Sequence, residues 1–223
     1  MSVMAGFAIL IVEGLNKLYQ RLHAINFGVY GASKVGKTTL HHQLRTRGEV
    51  PTILNRTEGR HRATRKYVKL DGDAHTVKTA DIGGETIYWQ EWLEDMRSRH
   101  VKYVIFMIDD RHMDKHYDIE QQLCWTFLVD SICAPHWHIG NKKKKKRDHD
   151  FPIAVGIWAN KYDLWKDKYE HDGPIEKHPI FESFRNGMQK LNDKGIPCFK
   201  YIVSAKSDSE MVYRGILTMI KDY

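Results

Sequence analysis

The chain has 223 residues, 42% of them hydrophobic and 28% charged, with a formal net charge of +7. That length suits one compact domain with an N-terminal extension and leaves two domains cramped. Cys124, Cys133 and Cys198 are odd in number and form no C-x-x-C pair, which argues against a disulfide framework or a structural zinc site and fits a reducing compartment, while the positive excess favours anionic partners without choosing among them.

In chain order, Val3 to Leu22 places Phe7, Leu10, Ile11, Leu15, Leu18 and Leu22 at helical spacing opposite Glu13, Lys17 and Arg21, so residues 1–23 are expected to carry an amphipathic helix ahead of a domain at 24–223. The apolar run is too short to span a bilayer, and no basic residue precedes it as a signal peptide requires. Residues 3–22 would pack on the domain or a partner, or lie on a membrane surface. Ser2 offers no myristoylation signal, and Ile220 to Tyr223 offers no prenylation box. The expected location is cytoplasmic, with a peripheral membrane contact as the variant.

The apolar run Ile25 to Tyr30 reads as a strand, and residues 31–38 that follow it read G-x-x-x-x-G-K-T. Such a loop curls so that successive N–H groups point at a β-phosphate. Lys37 then reaches the β- and γ-phosphates, and the Thr38 hydroxyl ligates Mg²⁺. Gly31, Ser33, Lys34, Val35, Gly36, Lys37, Thr38 and Thr39 are therefore assigned to nucleotide binding. A helix over Lys37 to Arg45 is followed by a polar stretch, Thr46 to Thr64, and by alternating strands, Arg65 to Leu70 and Ala74 to Ala80, around the turn Asp71-Gly72-Asp73. The second strand delivers Asp81-Ile82-Gly83-Gly84-Glu85. Asp81 can hold Mg²⁺ through water, and Gly84, lacking a Cβ, can bring its N–H to a γ-phosphate.

Ile87 to Arg99 reads as a helix with Trp89, Trp92, Leu93 and Met96 on its apolar side, and Val101 to Ile108 as a buried strand. A further helix is expected over Tyr117 to Cys133, with Ile119, Leu123, Phe127 and Ile132 facing inward. The loop 136–150 carries Lys142 to Arg147, six adjacent cations that form either a plain solvated loop or a contact for anionic membrane or nucleic acid. His136, His138 and His149 lack fixed geometry for a metal. After the strand Pro152 to Ala159 comes Asn160-Lys161-Tyr162-Asp163, where the Asp163 carboxylate can accept both the ring N–H and the amino group of guanine. Adenine would leave that acceptor unpaired, so guanine is favoured. A helix over Pro179 to Lys194, a strand over Cys198 to Val203, the turn Ser204-Ala205-Lys206 and a helix over Ser209 to Lys221 complete the chain. Ala205 is placed to offer an N–H to the guanine oxygen, and Lys206 to lay its stem on the base.

These motifs together resemble the Ras-like small GTPases over about residues 25–222, and the Asp-x-Gly-Gly looks most like the Arf-like branches. The resemblance implies an α/β P-loop GTPase fold: a mostly parallel six-stranded sheet with one antiparallel edge strand from the hairpin, and helices on both faces. It implies GTP or GDP with Mg²⁺ as ligands, and protein effectors at residues 46–65 and 81–99. It also calls for a switch threonine on Mg²⁺, with Thr57 in Thr-Glu-Gly preferred over Thr52 and Thr64. Arg56, Arg60, Arg62 and Arg65 around Thr57 form a partner-binding basic loop or supply an internal arginine.

Glu85 stands where the family leads one to expect Gln, and an ionised carboxylate accepts from water but donates nothing to a transition state. Slow GTP hydrolysis is expected, with Lys37, Gly84 and Glu85 as the catalytic group; the alternative is Glu85 as a general base with a raised pKa. Ser33 stands where many relatives carry Gly. Three function classes follow: a molecular switch, a module that holds GTP with little hydrolysis, and an RNA- or ribosome-associated GTPase that uses the lysine tract.

Overall fold

The computed structural model describes residues 25–46, 50, 57, 59, 64–70, 73–114, 119–135, 152–169 and 171–221. The segment 1–23, Thr52, most of 46–65 and the loop 136–150, with Lys142 to Arg147 and its three histidines, lie outside the described residues.

The elements in order are β1 (Ile25–Tyr30), α1 (Lys37–Thr46), β2 (Thr64–Leu70), β3 (Asp73–Thr79), α2 (Trp89–Arg99), β4 (Tyr103–Ile108), α3 (Glu120–Cys133), β5 (Ala154–Ala159), the short α4 (Tyr162–Trp165), α5 (Arg185–Asp193), β6 (Cys198–Ile202) and α6 (Ser209–Lys221). β3, β1, β4, β5 and β6 lie side by side and run parallel, with Val29 opposite Ile105 and Met107 opposite Trp158. β2 pairs antiparallel with β3 at the outer edge.

Every residue of β4 and β5 is buried, so both faces of the sheet centre are covered. α1 contacts α6, while α2 contacts α3 and α3 contacts α5. Trp158 on β5 lies against Gly215 of α6, whereas Phe106 of β4 packs on Trp125 of α3 at 5.0 Å between ring centroids. Parallel strands point all their carboxyl ends to one edge, so the segments opening at Gly31, Asp81, Asp109, Asn160 and Ser204 gather there. Among the described residues, no helix is long and apolar enough to cross a membrane.

Two expectations need correction. Ile119 and Leu123 do not face inward: they are 67% and 50% exposed. The side chains of Gln121, Cys124, Trp125, Leu128 and Val129 are buried instead. Gln121, hydrogen-bonded to Asp109, fixes the rotation of the helix about its axis, and of the expected stripe Phe127 and Ile132 pack as foreseen, Phe127 against Trp89 at 5.1 Å. The single helix expected over Pro179 to Lys194 is in fact a 3-10 segment, Pro179–Phe184, followed by α5. The ring of Pro179 fits the first turn, and the His178 Nδ1 accepts the Ile180 N–H at 3.1 Å, which tightens the entry.

A buried ionic cluster fastens α2 to β1. The Arg99 Nε donates to the Asp95 Oδ1 at 2.7 Å, its Nη2 pairs with the Asp95 Oδ2 and reaches the Phe27 carbonyl at 2.9 Å, and the Tyr30 hydroxyl donates to Asp95 at 2.9 Å. Burial would lower the Arg99 pKa, but Asp95 and Tyr30 outweigh it and raise it; burial, followed by Asp95, pushes the Tyr30 phenol well above its usual value. Removing one partner strands a charge without water. Asp95→Ala is expected to cost about 3–5 kcal/mol and Tyr30→Phe about 1 kcal/mol in urea unfolding. Equal small losses for both would show that the cluster is solvated.

Candidate functional site

The loop after β1 owes its curl to alternating backbone handedness. Gly31 (φ 138°), Lys34 (φ 65°) and Gly36 (φ 98°) take positive φ, a pattern that turns successive N–H groups to one side. A Cβ at Gly36 would run into the Asn160 side-chain nitrogen, and one at Gly31 into the Met107 carbonyl. Only glycine fits either place.

Lys37 is 6% exposed and donates to the Gly31 and Ala32 carbonyls at 2.9 and 2.7 Å. Burial lowers its pKa from 10.5 to about 8, partly offset by Asp81. A Cβ on Gly84 would come within 2.5 Å of both the Lys37 Nζ and the Ala32 carbonyl carbon, so Gly84 lies directly on the loop after β1. The Trp89 and Trp92 indoles hold the Gly84 and Gly83 carbonyls at 3.2 and 2.9 Å.

Three residues from separate segments meet beside Lys37. The Thr57 hydroxyl donates to the Asp81 Oδ2 at 2.7 Å and lies 2.8 Å from the Thr38 hydroxyl. The Asp81 Oδ1 is buried with no hydrogen-bond partner among the described residues. Two hydroxyls and a carboxylate with an unsatisfied oxygen make a hard-donor set of the kind Mg²⁺ takes. Among the described residues no group of three His, Cys, Asp or Glu side chains gathers to hold a metal ion. Of the other threonines considered, Thr64 opens β2 opposite Thr79. The Gly83 N–H donates to the Gly59 carbonyl at 3.0 Å, joining the segment of Thr57 to that of Asp81.

On the other side, Asn160 uses both ends of its amide: Nδ2 donates to the Val35 carbonyl at 2.9 Å, and Oδ1 accepts the Ala205 N–H at 2.9 Å. The Ser204 hydroxyl accepts the Asp163 N–H at 2.9 Å, which leaves the Asp163 side chain exposed next to the turn carrying the exposed Lys206. The Trp165 indole holds the Asn160 carbonyl at 2.7 Å from beneath. Glu85 is half-buried and opens a 3-10 turn whose Tyr88 N–H it accepts at 2.8 Å. Thr39 follows Thr38 in the first turn of α1, half-buried.

Sequence reasoning missed Asp109, Arg111, Glu120 and Gln121. Asp109 is wholly buried at the end of β4 and accepts from Lys161 (2.7 Å), Arg111 (2.9 Å) and Gln121 (2.7 Å). Burial alone would raise its pKa, but Lys161 and Arg111 together hold it below the ordinary carboxylate range. The available signal was its place: like Asn160, it is a polar residue directly after a buried parallel strand.

Because folded Lys37 releases its proton near pH 8 while the unfolded chain holds it to about 10.5, its burial penalty is felt at neutral pH and fades between those values. Lys37→Met is therefore expected to be more stable than the natural chain at pH 7, with the gap shrinking by about 3 kcal/mol up to pH 10.5. A gap independent of pH would place the ammonium in water. No family model matches the chain, and a search of curated proteins finds no match either.

Proposed function

We propose that the chain binds GTP and GDP with Mg²⁺ on a P-loop GTPase fold and acts as a molecular switch of the small-GTPase type, with slow hydrolysis. The convergence of Thr38, Thr57 and Asp81 beside the buried Lys37, from positions 19 and 24 residues apart, is the observation that carries this reading. Such a set has no evident use in a structural loop, where a buried carboxylate oxygen without a partner only destabilises.

Lys37 would give up its two loop carbonyls for the β- and γ-phosphates, whose charge would restore its full protonation. Thr38, Thr57 and Asp81 would hold Mg²⁺, which would supply neutralisation of phosphate charge. Gly84 would present its N–H to the γ-phosphate, and loss of that phosphate would release it together with the segment of Thr57, since Gly83 and Gly59 are joined. The exposed Ile87 (74%) on the adjoining turn would then report the change to a partner.

Base selection falls to Asp163, positioned by Ser204, with Lys206 beside the base; the Ala205 N–H, expected to meet the guanine oxygen, is given to the Asn160 Oδ1 here and would have to leave it to do so. Asn160 aligns this half of the pocket with the phosphate half. A Glu85 carboxylate lying within about 5 Å of a γ-phosphate would cost about 3 kcal/mol at an effective dielectric near 20, which disfavours fast hydrolysis.

In competition binding, GDP and GTP are expected to displace a fluorescent guanine nucleotide where ATP does not, and Asp163→Ala is expected to weaken GDP by about 1–3 kcal/mol. Equal competition by ATP would sink the guanine assignment. Single-turnover hydrolysis is expected to quicken about tenfold in Glu85→Gln, about 1.4 kcal/mol. A slower Glu85→Gln would make the carboxylate part of the chemistry.

A further inference from the structure

Among the described residues, three side chains other than glycine hold positive φ: Lys34 (65°), His100 (51°) and Lys161 (63°). His100 ends α2 as a left-handed cap, its N–H bonded to Arg97 and Met96 carbonyls, and needs no further account. The two lysines sit one in each half of the pocket. A left-handed lysine is unfavourable and persists only where its surroundings over-determine it.

Both lysines are held through the same carboxylate. Lys161 is tied directly, its Nζ 2.7 Å from the Asp109 Oδ2. Lys34 is tied at the peptide before it: the Ser33 carbonyl accepts the Arg111 Nη2 at 2.8 Å, and the Arg111 Nε lies 2.9 and 3.1 Å from the two Asp109 oxygens. Glu120 accepts the Ser33 N–H at 3.3 Å, so that residue is gripped at both ends. Asp109 itself cannot drift, because Gln121 donates to its Oδ1 at 2.7 Å and accepts its backbone N–H at 2.9 Å, both residues being fully buried.

We propose that Asp109 couples base recognition to phosphate binding: one buried carboxylate holds the Asn160–Asp163 loop through Lys161 and braces the phosphate loop through Arg111. A guanidinium on the Ser33 carbonyl also polarises the peptide whose N–H belongs to Lys34, making that N–H a stronger donor to a phosphate. Without Arg111 the carboxylate loses one of its three side-chain donors and is held by Gln121 and Lys161 alone, so its orientation and with it the anchor of Lys161 shift. Seating a base at one loop therefore stiffens the other, and the reverse holds equally, because such coupling is reciprocal.

This inference rests on the guanine-nucleotide reading, and a ratio separates the two. The full chain, Arg111→Gln and Asp109→Asn are compared for affinity to GDP and to ADP, with thermal unfolding as a check on folding. Arg111→Gln, partly exposed and outside the base site, keeps the test open should Asp109→Asn fail to fold. The expected result is about a tenfold loss for GDP and a several-fold smaller loss for ADP, so that the GDP-over-ADP preference itself falls. Equal losses for both ligands, or none, overturn the coupling and leave the functional reading intact, since Arg111 would then act on the phosphate loop alone. A natural chain with no preference for GDP overturns the functional reading and this inference with it.

Discussion

The side-chain amide of Asn160 is the constraint on which the pocket depends. A parallel sheet brings its loops to one edge but does nothing to align them, and each loop carries backbone groups that need partners away from water. Asn160 donates to one loop at Val35 and accepts from another at Ala205, while Gly36 leaves no room for anything but that amide nitrogen. Its own carbonyl is held by Trp165. The carboxyl ends of β1, β5 and β6 thereby become walls of one site and not three neighbouring turns.

Around that joint, the chain buries groups that a merely stable domain would not. Lys37, Asp81 and Asp109 are each nearly or wholly without solvent, and their compensation is uneven. Asp109 has three side-chain donors, Lys37 has two carbonyls, and Asp81 keeps one oxygen with none. The ordering has physical sense: the position most in need of a partner is the one at which a cation would bind, and the one best satisfied is the one with a scaffolding role.

Much of the fold was legible in the sequence because buried parallel strands are continuous apolar runs, and Ile25–Tyr30 and the central strands read as such. The short-range motifs at residues 31–38, 81–85, 160–163 and 204–206 were equally legible, since each follows a strand. What stayed hidden depends on contacts distant in sequence. The rotation of α3 is set by a bond between Gln121 and Asp109 that no periodicity records, so the spacing of Ile119 and Leu123 misled. The grip of Arg111 on Ser33 spans 78 residues and belongs to no motif. The break of the 179–194 helix into two kinds of turn rests on a histidine ring nitrogen, a contact invisible to propensity.

The latch between Gly83 and Gly59 is made wholly of main chain. Short of a proline at 83 no exchange of residues deletes its donor, but both positions favour glycine, since a Cβ at Gly83 would meet the Tyr88 ring and Gly59 holds a φ of 69°. The tie between these two segments is thus written into the backbone, and the exposed side chains around it, Ile87 among them, can change without touching it.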